Sequence, residues 1–418
     1  MSSVHGCYHC GLLQSLPEVD PEQRIRITCA RCGSLIEKVA PDCIQNTLAL
    51  TITACLLLFT TLIYPFMTLQ VEGQSQEATL FTGVLYFYAN EMYLLASIVG
   101  LTCIIVPTLQ LGSLLYILIP MQLRSLAPQT AFIFRIFRWF TPWSMIEVFL
   151  LGILISVIKL NKLAQLEPEF GLWAFILLII VITATFSTLN SRDIWRRIPI
   201  QRPYLDPRLS PHHATCHSCH LTQGWPEGVP LNQKLYCPRC GTKVVFRKPE
   251  SIQRTMALML AALILYIPAN VLPITKTVFL GSSHSDTIMS GVLYFMSSGS
   301  WHIALVIFVA SIFIPLVKLV VLCFLLFASR GQVRLSARGC THLFHYIELV
   351  GRWSMVDVFV VTVLVAVVQL EPFAVIKAGI GLLYFAAVVI LTMLAAESFD
   401  PRLLWRHEGK EQSSGDQR

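Results

Sequence analysis

The sequence predicts an all-α polytopic membrane protein with about eight transmembrane helices. They form two tandem four-helix units, each preceded by a small cytosolic zinc ribbon. Three observations carry this prediction. Apolar residues make up 55% of the 418 positions and charged residues only 13%, whereas soluble domains hold roughly 45–50% apolar and about 25% charged residues. The apolar residues gather in runs long enough to cross a bilayer. The landmarks of the first half return, in order, in the second.

A surface this poor in charge does not stay dissolved, so lipid is the expected solvent for much of the chain. The net charge of +7 can signal nucleic acid or membrane topology. Most Lys and Arg flank apolar runs, which favours topology and no nucleic-acid partner. The first forty residues are polar and hold four Cys. No cleavable signal is expected there, and the apolar run from Leu48 to Met67 is expected to serve as an uncleaved signal anchor.

The repeat is read from six landmarks. Cys7-x-x-Cys10 and Cys29-x-x-Cys32 return as Cys216-x-x-Cys219 and Cys237-x-x-Cys240. Gly83-Val-Leu-Tyr-Phe87 returns from Gly291, and Pro107 returns as Pro315. Trp143-Ser-Met145 with Glu147 matches Trp353-Ser-Met355 with Asp357. Gly171 with Phe175 matches Gly381 with Phe385, and Trp195 matches Trp405. The offset is 208 to 210 residues throughout. The expected organisation is a ribbon over 1–44, a membrane unit over 45–197 and a polar linker over 198–211. A second ribbon over 212–248, a second unit over 249–406 and a polar tail over 407–418 follow.

A spanning helix needs about 20 mostly apolar residues. Eight runs qualify: roughly 47–69, 92–120, 141–160, 170–190, 253–273, 301–328, 352–370 and 378–397. The second and sixth carry a mid-run Pro, which kinks a membrane helix and frees a carbonyl. Arg124, Arg135 and Arg138 lie between spans two and three, and Arg192, Arg196, Arg197 and Arg202 follow span four. Arg330, Arg334, Arg338, Arg402 and Arg406 take the matching places in the second half. The positive-inside rule then puts both termini and the linker in the cytosol.

Eight of the thirteen Cys fall into two sets, C-x2-C-x18-C-x2-C and C-x2-C-x17-C-x2-C. Each C-x-x-C turn aims two sulfurs at one point, and two turns complete a tetrahedral thiolate site. The expected ligands are Cys7, Cys10, Cys29 and Cys32 for one zinc ion, and Cys216, Cys219, Cys237 and Cys240 for another. Iron in the same thiolate cage and paired disulfides are the alternatives. A cytosolic location disfavours disulfides. Four thiolates leave no open coordination position, so the sites read as structural. His9, His217 and His220 beside the knuckles are expected to face solvent.

Ionisable residues inside spans are costly and are functional candidates. Lys318 follows Pro315 in span six, and Asp357 lies in span seven. They are expected to pair. Ser311 shares the face of Lys318, and Ser354 that of Asp357. Asn270, between Pro268 and Pro273, is placed to bond freed backbone, and Glu397 ends span eight. The first half has Glu147 in place of Asp357 but Gln110 in place of Lys318. The polar set reads as a proton relay or substrate gate. The alternative is an ion pair that only holds helix register. Glu348 and Arg352 are expected to be interfacial. No G-x-x-x-x-G-K-[ST], G-x-G-x-x-G or H-E-x-x-H motif occurs, so no nucleotide is expected to bind.

Tyr266-Ile-Pro-Ala-Asn-Val-Leu-Pro-Ile274, Ala310-Ser-Ile-Phe-Ile-Pro-Leu-Val-Lys318, Gly351-Arg-Trp-Ser-Met-Val-Asp-Val-Phe359 and Phe399-Asp-Pro-Arg-Leu-Leu-Trp405 resemble motifs of the paraquat-inducible protein A family of Gram-negative inner membranes. The resemblance extends over nearly the whole chain. It implies a non-enzymatic subunit of an intermembrane lipid transport system. Its implied partners are a periplasmic mammalian-cell-entry (MCE) protein and membrane lipid, phospholipid first. By the same match, Lys318, Asp357, Ser311 and Ser354 fall on the polar network of the second membrane unit. Three hypotheses follow: a lipid-loading or unloading subunit, proton-coupled in one version; a passive anchor for the MCE ring; and a metal-based redox protein.

Overall fold

The computed structural model describes residues 3–16, 25–39, 43–71, 74–160, 165–279, 282–297, 299, 301–331, 336–351, 355–367, 369–370 and 374–405. The chain opens with two antiparallel hairpins. Strand β1 (Ser3–Gly6) pairs with β2 (Leu13–Leu16), and β3 (Ile25–Thr28) with β4 (Leu35–Val39). They carry the first four-cysteine set. The first membrane unit starts with α1 (Cys43–Ile63), the hairpin β5 (Met67–Val71) and β6 (Gln74–Ala78), and the short apolar α2 (Leu80–Ala89). Helix α3 (Tyr93–Gly100) runs through a π turn (Leu101–Ile105) into α4 (Val106–Gln122). Then come the amphipathic α5 (Thr130–Phe140), α6 (Ile146–Leu160), β7 (Gln165–Pro168), α7 (Phe170–Thr188) and short α8 (Ser191–Arg197).

The second cysteine module holds the hairpins β8 (His213–Thr215) with β9 (Thr222–Gly224), and β10 (Leu235–Tyr236) with β11 (Lys243–Val244). The second membrane unit repeats the first. It comprises α9 (Ser251–Val271), β12 (Thr275–Phe279), β13 (Ser282–Asp286), α10 (Ile288–Ser297) and α11 (Trp301–Phe308). A π turn (Val309–Phe313) leads to α12 (Ile314–Ser329), α13 (Ala337–Gly351) and α14 (Val356–Val367). Strands β14 (Gln369–Leu370) and β15 (Ala374–Ala378), helix α15 (Ile380–Ser398) and a 3-10 turn (Pro401–Trp405) complete it.

Among the described residues, seven helices are long and apolar enough to cross a membrane. The chain is a multi-pass membrane protein. The eighth expected span, 352–370, holds α14, whose described helix covers 12 residues. Two sheets at the far end of the helices from the cysteine modules, ordered β6-β5-β7 and β13-β12-β15-β14, were not anticipated. Their strands are short and rich in Thr, Ser and Gln, and apart from Met67-Thr-Leu-Gln-Val71 they show little apolar alternation.

The repeat extends to fine geometry. Each half places a π turn just ahead of its proline, Pro107 or Pro315. Proline has no N–H to close an ordinary turn, and the helix widens there. In each π turn a hydroxyl folds back on its own helix: Thr102 donates to the Ile98 carbonyl at 2.8 Å and Ser311 to the Ile307 carbonyl at 2.6 Å. Gly171 and Gly381 also correspond. An ideal Cβ would lie 2.3 Å from the Pro65 carbonyl oxygen at the first and 2.5 Å from that of Leu272 at the second. The last span of each half can therefore start hard against the end of its first span only on glycine.

One apolar core joins the halves, through α6 packed on α14. Phe149 meets Phe359 edge-on, with ring centroids 5.6 Å apart. Ser156 donates to the Val360 carbonyl at 3.2 Å. A Cβ on Gly152 would lie 2.9 Å from the Phe359 Cβ and 3.1 Å from its carbonyl carbon. Gly152→Leu must then push two helix backbones apart, and such overpacking costs about 1–3 kcal/mol or more. Thermal unfolding in detergent is expected to show a clearly lowered midpoint for Gly152→Leu. Leu154→Ala, on the exposed face of the same helix, should leave it nearly unchanged.

The cysteine modules dock crosswise. Apolar residues of the first pack with Leu325, Phe344, Phe399 and Trp405 of the second membrane unit. Those of the second pack with Leu114, Phe134, Phe137 and Trp195 of the first unit. Polar contacts follow the same crossing. Arg31 lies over the Trp405 ring at 4.5 Å and His9 stacks edge-on against His345 at 4.4 Å. Arg138 and Arg135 donate to the carbonyls of Ser218 and Cys240 at 2.5 and 3.4 Å. The modules also meet each other, where the Gly6 N–H donates to Thr222 Oγ1 at 2.8 Å.

Candidate functional site

All four C-x-x-C turns share one backbone pattern. The first Cys donates its N–H to the carbonyl five residues on, and the N–H four residues on returns to its carbonyl: Cys7 with Leu12 and Gly11, Cys29 with Ser34 and Gly33, Cys216 with Leu221 and His220, Cys237 with Thr242 and Gly241, all at 2.8–3.0 Å. The residue after the second Cys takes positive φ. Gly11, Gly33 and Gly241 suit it, and His220 adopts it at +55°. The knuckles bring each set of four sulfurs within 4.8 Å of one another, with all eight Cys buried. Opposed sulfurs lie 3.4–3.5 Å apart. That exceeds the ~2.05 Å of a disulfide, and the thiols are free. It suits a single ion held at ~2.3 Å from each thiolate. Hydrogen bonding within each set pushes the Cys32 and Cys240 thiols far down. Both sets can hold a metal ion and are compatible with zinc.

Two of the three histidines beside the knuckles depart from expectation. His217 is exposed, but His9 and His220 are half-buried. Burial pushes His9 down to about 4 and His220 well below its ordinary value. Both sit at the contact between module and helices, where the crosswise docking covers them.

Lys318 is 3% exposed and lines a cavity of about 440 Å³. Thr141, Pro142 and Trp143 of the first half and His345, Glu348 and Glu397 of the second share its wall. Gly351 leaves room for the lysine: a Cβ there would lie 2.8 Å from Lys318 Nζ. Among the described residues Lys318 has no ion-pair partner. Ser354, Arg352 and the side chain of Asp357 lie outside the described residues. Ser311 is fully buried and spends its hydroxyl on its own helix. Asn270 donates to the Tyr266 carbonyl at 2.8 Å, and the Tyr266 hydroxyl donates to Ile312 in the π turn at 3.2 Å. The expected break is not seen: α9 runs on through Pro268 to Val271, and Asn270 bonds a carbonyl of its own helix.

Glu397 lines the cavity from the exposed end of α15, and its carbonyl accepts Lys248 Nζ at 2.6 Å. Glu348, expected to be interfacial, also reaches the cavity wall. The first half differs. Gln110 is 2% exposed with Nε2 unpaired, and Glu147 is half-buried, accepting a 3.4 Å hydrogen bond from Thr183. The contribution of Thr141 and Trp143 was not foreseen. The repeated Trp-Ser-Met was the available signal, but it was not assigned to the other half's cavity.

Asp400 explains the Phe399-Asp-Pro-Arg segment. It is 1% exposed. Its carboxylate accepts Arg402 Nε at 3.0 Å, Arg402 Nη2 at 3.1 Å and the Lys248 N–H at 3.1 Å. Burial pushes its pKa up, but the Arg402 guanidinium and these hydrogen bonds outweigh it and hold the carboxyl below its ordinary 3.8. Because the folded value is depressed, its stabilisation is complete above the unfolded value and is lost as pH falls through the folded one. Asp400→Asn leaves buried donors and Arg402 unmatched and is expected to cost about 3 kcal/mol. Unfolding curves at pH 7 should show the loss, and it should shrink in strong acid.

A family profile described as Paraquat-inducible protein A matches the chain twice, over residues 44–199 and 252–408. Intermembrane transport protein PqiA of Escherichia coli (strain K12) is 31% identical over 407 residues, covering 96% of this chain and 94% of the relative. Lipophilic envelope-spanning tunnel protein A of the same strain is 30% identical over 400 residues, covering 96% and 90%. A probable intermembrane transport protein of Haemophilus influenzae (strain ATCC 51907 / DSM 11121 / KW20 / Rd) is 27% identical over 401 residues, covering 96% and 95%. No solved structure matches.

Proposed function

The chain belongs to the paraquat-inducible protein A family, and on that premise we propose that it is the membrane subunit of an intermembrane lipid transport system. It resides in the bacterial inner membrane with both termini and both cysteine modules in the cytosol. It passes phospholipid to or from a periplasmic MCE-protein tunnel seated at the sheet end. In this reading it moves lipid without chemical turnover, and its two metal ions are structural zinc.

The observation that carries the proposal is the 440 Å³ cavity around Lys318, shared between the halves. A buried ammonium inside a membrane helix is expensive, and it persists where it meets a ligand, a relay partner or a counter-ion. Lys318 matches a lipid phosphate, and Glu348 and Glu397 line the same cavity. Asp357 is the proposed relay partner. The passive-anchor reading draws on the two polar sheets, which offer a docking face without any cavity. Purification from native membranes separates the two. Phospholipid and an MCE-domain protein should co-purify, and Lys318→Ala should lower the lipid while the partner stays bound. Unchanged lipid in Lys318→Ala would reject the transport reading and leave the anchor.

A further inference from the structure

The Lys318 cavity has a second polar feature. Glu348 and Glu397 line it, one in the last turn of α13 and the other in the last turn of α15. The C-terminal end of a helix is its negative pole, where cations are favoured and carboxylates are not. Two helices therefore bring a negative pole and a carboxylate to one space. The end of α15 is met in part, because Lys248 Nζ donates to the carbonyls of Glu397 at 2.6 Å and Phe399 at 3.1 Å. The carboxylates themselves are left open. Glu348 reaches His345 at 3.9 Å, and Glu397 forms no ion pair among the described residues.

The repeat does not impose this acidic pair. At an offset of 210 residues the first half has Arg138 and Ser187, and these line a cavity of their own, of about 620 Å³. The pair accompanies Lys318, not Gln110.

What matters is the order of the charges rather than their sum. A Cβ on Gly351 would lie 2.8 Å from Lys318 Nζ, so Gly351 marks the depth of the ammonium. Glu348 stands one turn earlier on α13, about 4.5 Å along the axis, toward His345 and the first cysteine module. Lys318 is 3% exposed, the Glu348 side chain is 65% exposed, and Glu397 is exposed. From the membrane outward the cavity reads cation, then carboxylates. A phospholipid with its tails on the membrane side presents its phosphate first and its headgroup terminus second. An ethanolamine headgroup ends in an ammonium two carbons beyond the phosphate ester oxygen. A glycerol headgroup ends in hydroxyls and offers the carboxylates no charge.

We propose that this cavity selects phospholipid with an ethanolamine headgroup, Lys318 meeting the phosphate and Glu348 and Glu397 accepting the ammonium N–H groups. The proposal rests on the transport reading and names the class of its cargo. Charge-assisted hydrogen bonds are the strong ones, and they set the two headgroups apart.

The test uses the metal-loaded full-length protein in detergent. It is incubated with mixed micelles of equimolar phosphatidylethanolamine and phosphatidylglycerol and repurified, and the retained lipids are quantified by mass spectrometry. Phosphatidylethanolamine should exceed phosphatidylglycerol roughly tenfold. Glu348→Gln combined with Glu397→Gln should bring the ratio close to one with total lipid little changed. Both side chains are exposed, so the double variant is expected to fold. Glu250→Gln removes a surface carboxylate that faces Arg254 at 3.8 Å, and it should keep the ratio. Lys318→Ala should lower both lipids together. No preference in the unaltered protein, an unchanged ratio in the double variant, or an equal fall in Glu250→Gln would overturn the headgroup proposal. If Lys318→Ala still loses both lipids in those cases, the transport reading stands without it. Unchanged lipid in Lys318→Ala would reject both.

Discussion

Serine at Cys237 and Cys240 is expected to halve the bound zinc, from about two ions per chain to one, and to loosen the first membrane unit rather than the second. Structural zinc in small modules supplies roughly 10–16 kcal/mol at neutral pH, and this module has a small apolar core of its own. Its buried residues are continuous with Phe134, Phe137 and Trp195. Losing the knuckles also removes the carbonyls that Arg135 and Arg138 grip. Hydrogen exchange should therefore quicken over residues 130–140 and 191–197. It should change little over 337–351 and 399–405. Serine at Cys29 and Cys32 should reverse the pattern, because that module packs on Phe344, Phe399 and Trp405. Loosening of the same half by each pair would refute crosswise docking. A coloured preparation holding mainly iron would refute zinc.

Lys318→Ala is expected to abolish function in an envelope-defect complementation assay at matched membrane levels, and Glu147→Gln to leave most of it. The difference is electrostatic. Lys318 is a buried cation on a shared cavity, whereas Glu147 is half-buried beside Thr183. The place equivalent to Lys318 in the first half holds the neutral Gln110. Glu147 accepts a hydrogen bond from Thr183, and the amide oxygen of glutamine can take that role. Asp357→Asn should follow Lys318→Ala. Intact function in both would reject a relay and favour a passive anchor. Equal loss in Glu147→Gln would mean two working sites.

The long apolar runs, the prolines and the Cys spacing made the spans and the four-cysteine sets legible, because each reports a local rule of length, backbone chemistry or ligand geometry. The sheets were not. The run Met67-Thr-Leu-Gln-Val71 does alternate, but it is five residues long and its start reads as the end of the span over 47–69, and its partner β7 is distant in sequence. The crosswise docking was also hidden. Nothing local to Phe134 or Phe344 states which module covers it, since both modules offer equivalent apolar residues. The same blindness assigned His9 and His220 to solvent and left Trp143 out of the cavity wall.

The crossed docking has a consequence for how the chain is built. The first module leaves the ribosome well ahead of its seat, which is made of residues 325–405. At roughly 5–20 residues per second, that module waits on the order of tens of seconds with its contact face bare. Any metal its four cysteines take up must be held through that interval unaided. The second module, by contrast, emerges just after Phe134 and Trp195 and can settle at once. Synthesis thus closes one seam early and the other late, so a chain truncated before Phe399 would leave the first module only the Leu325 and Phe344 part of its seat.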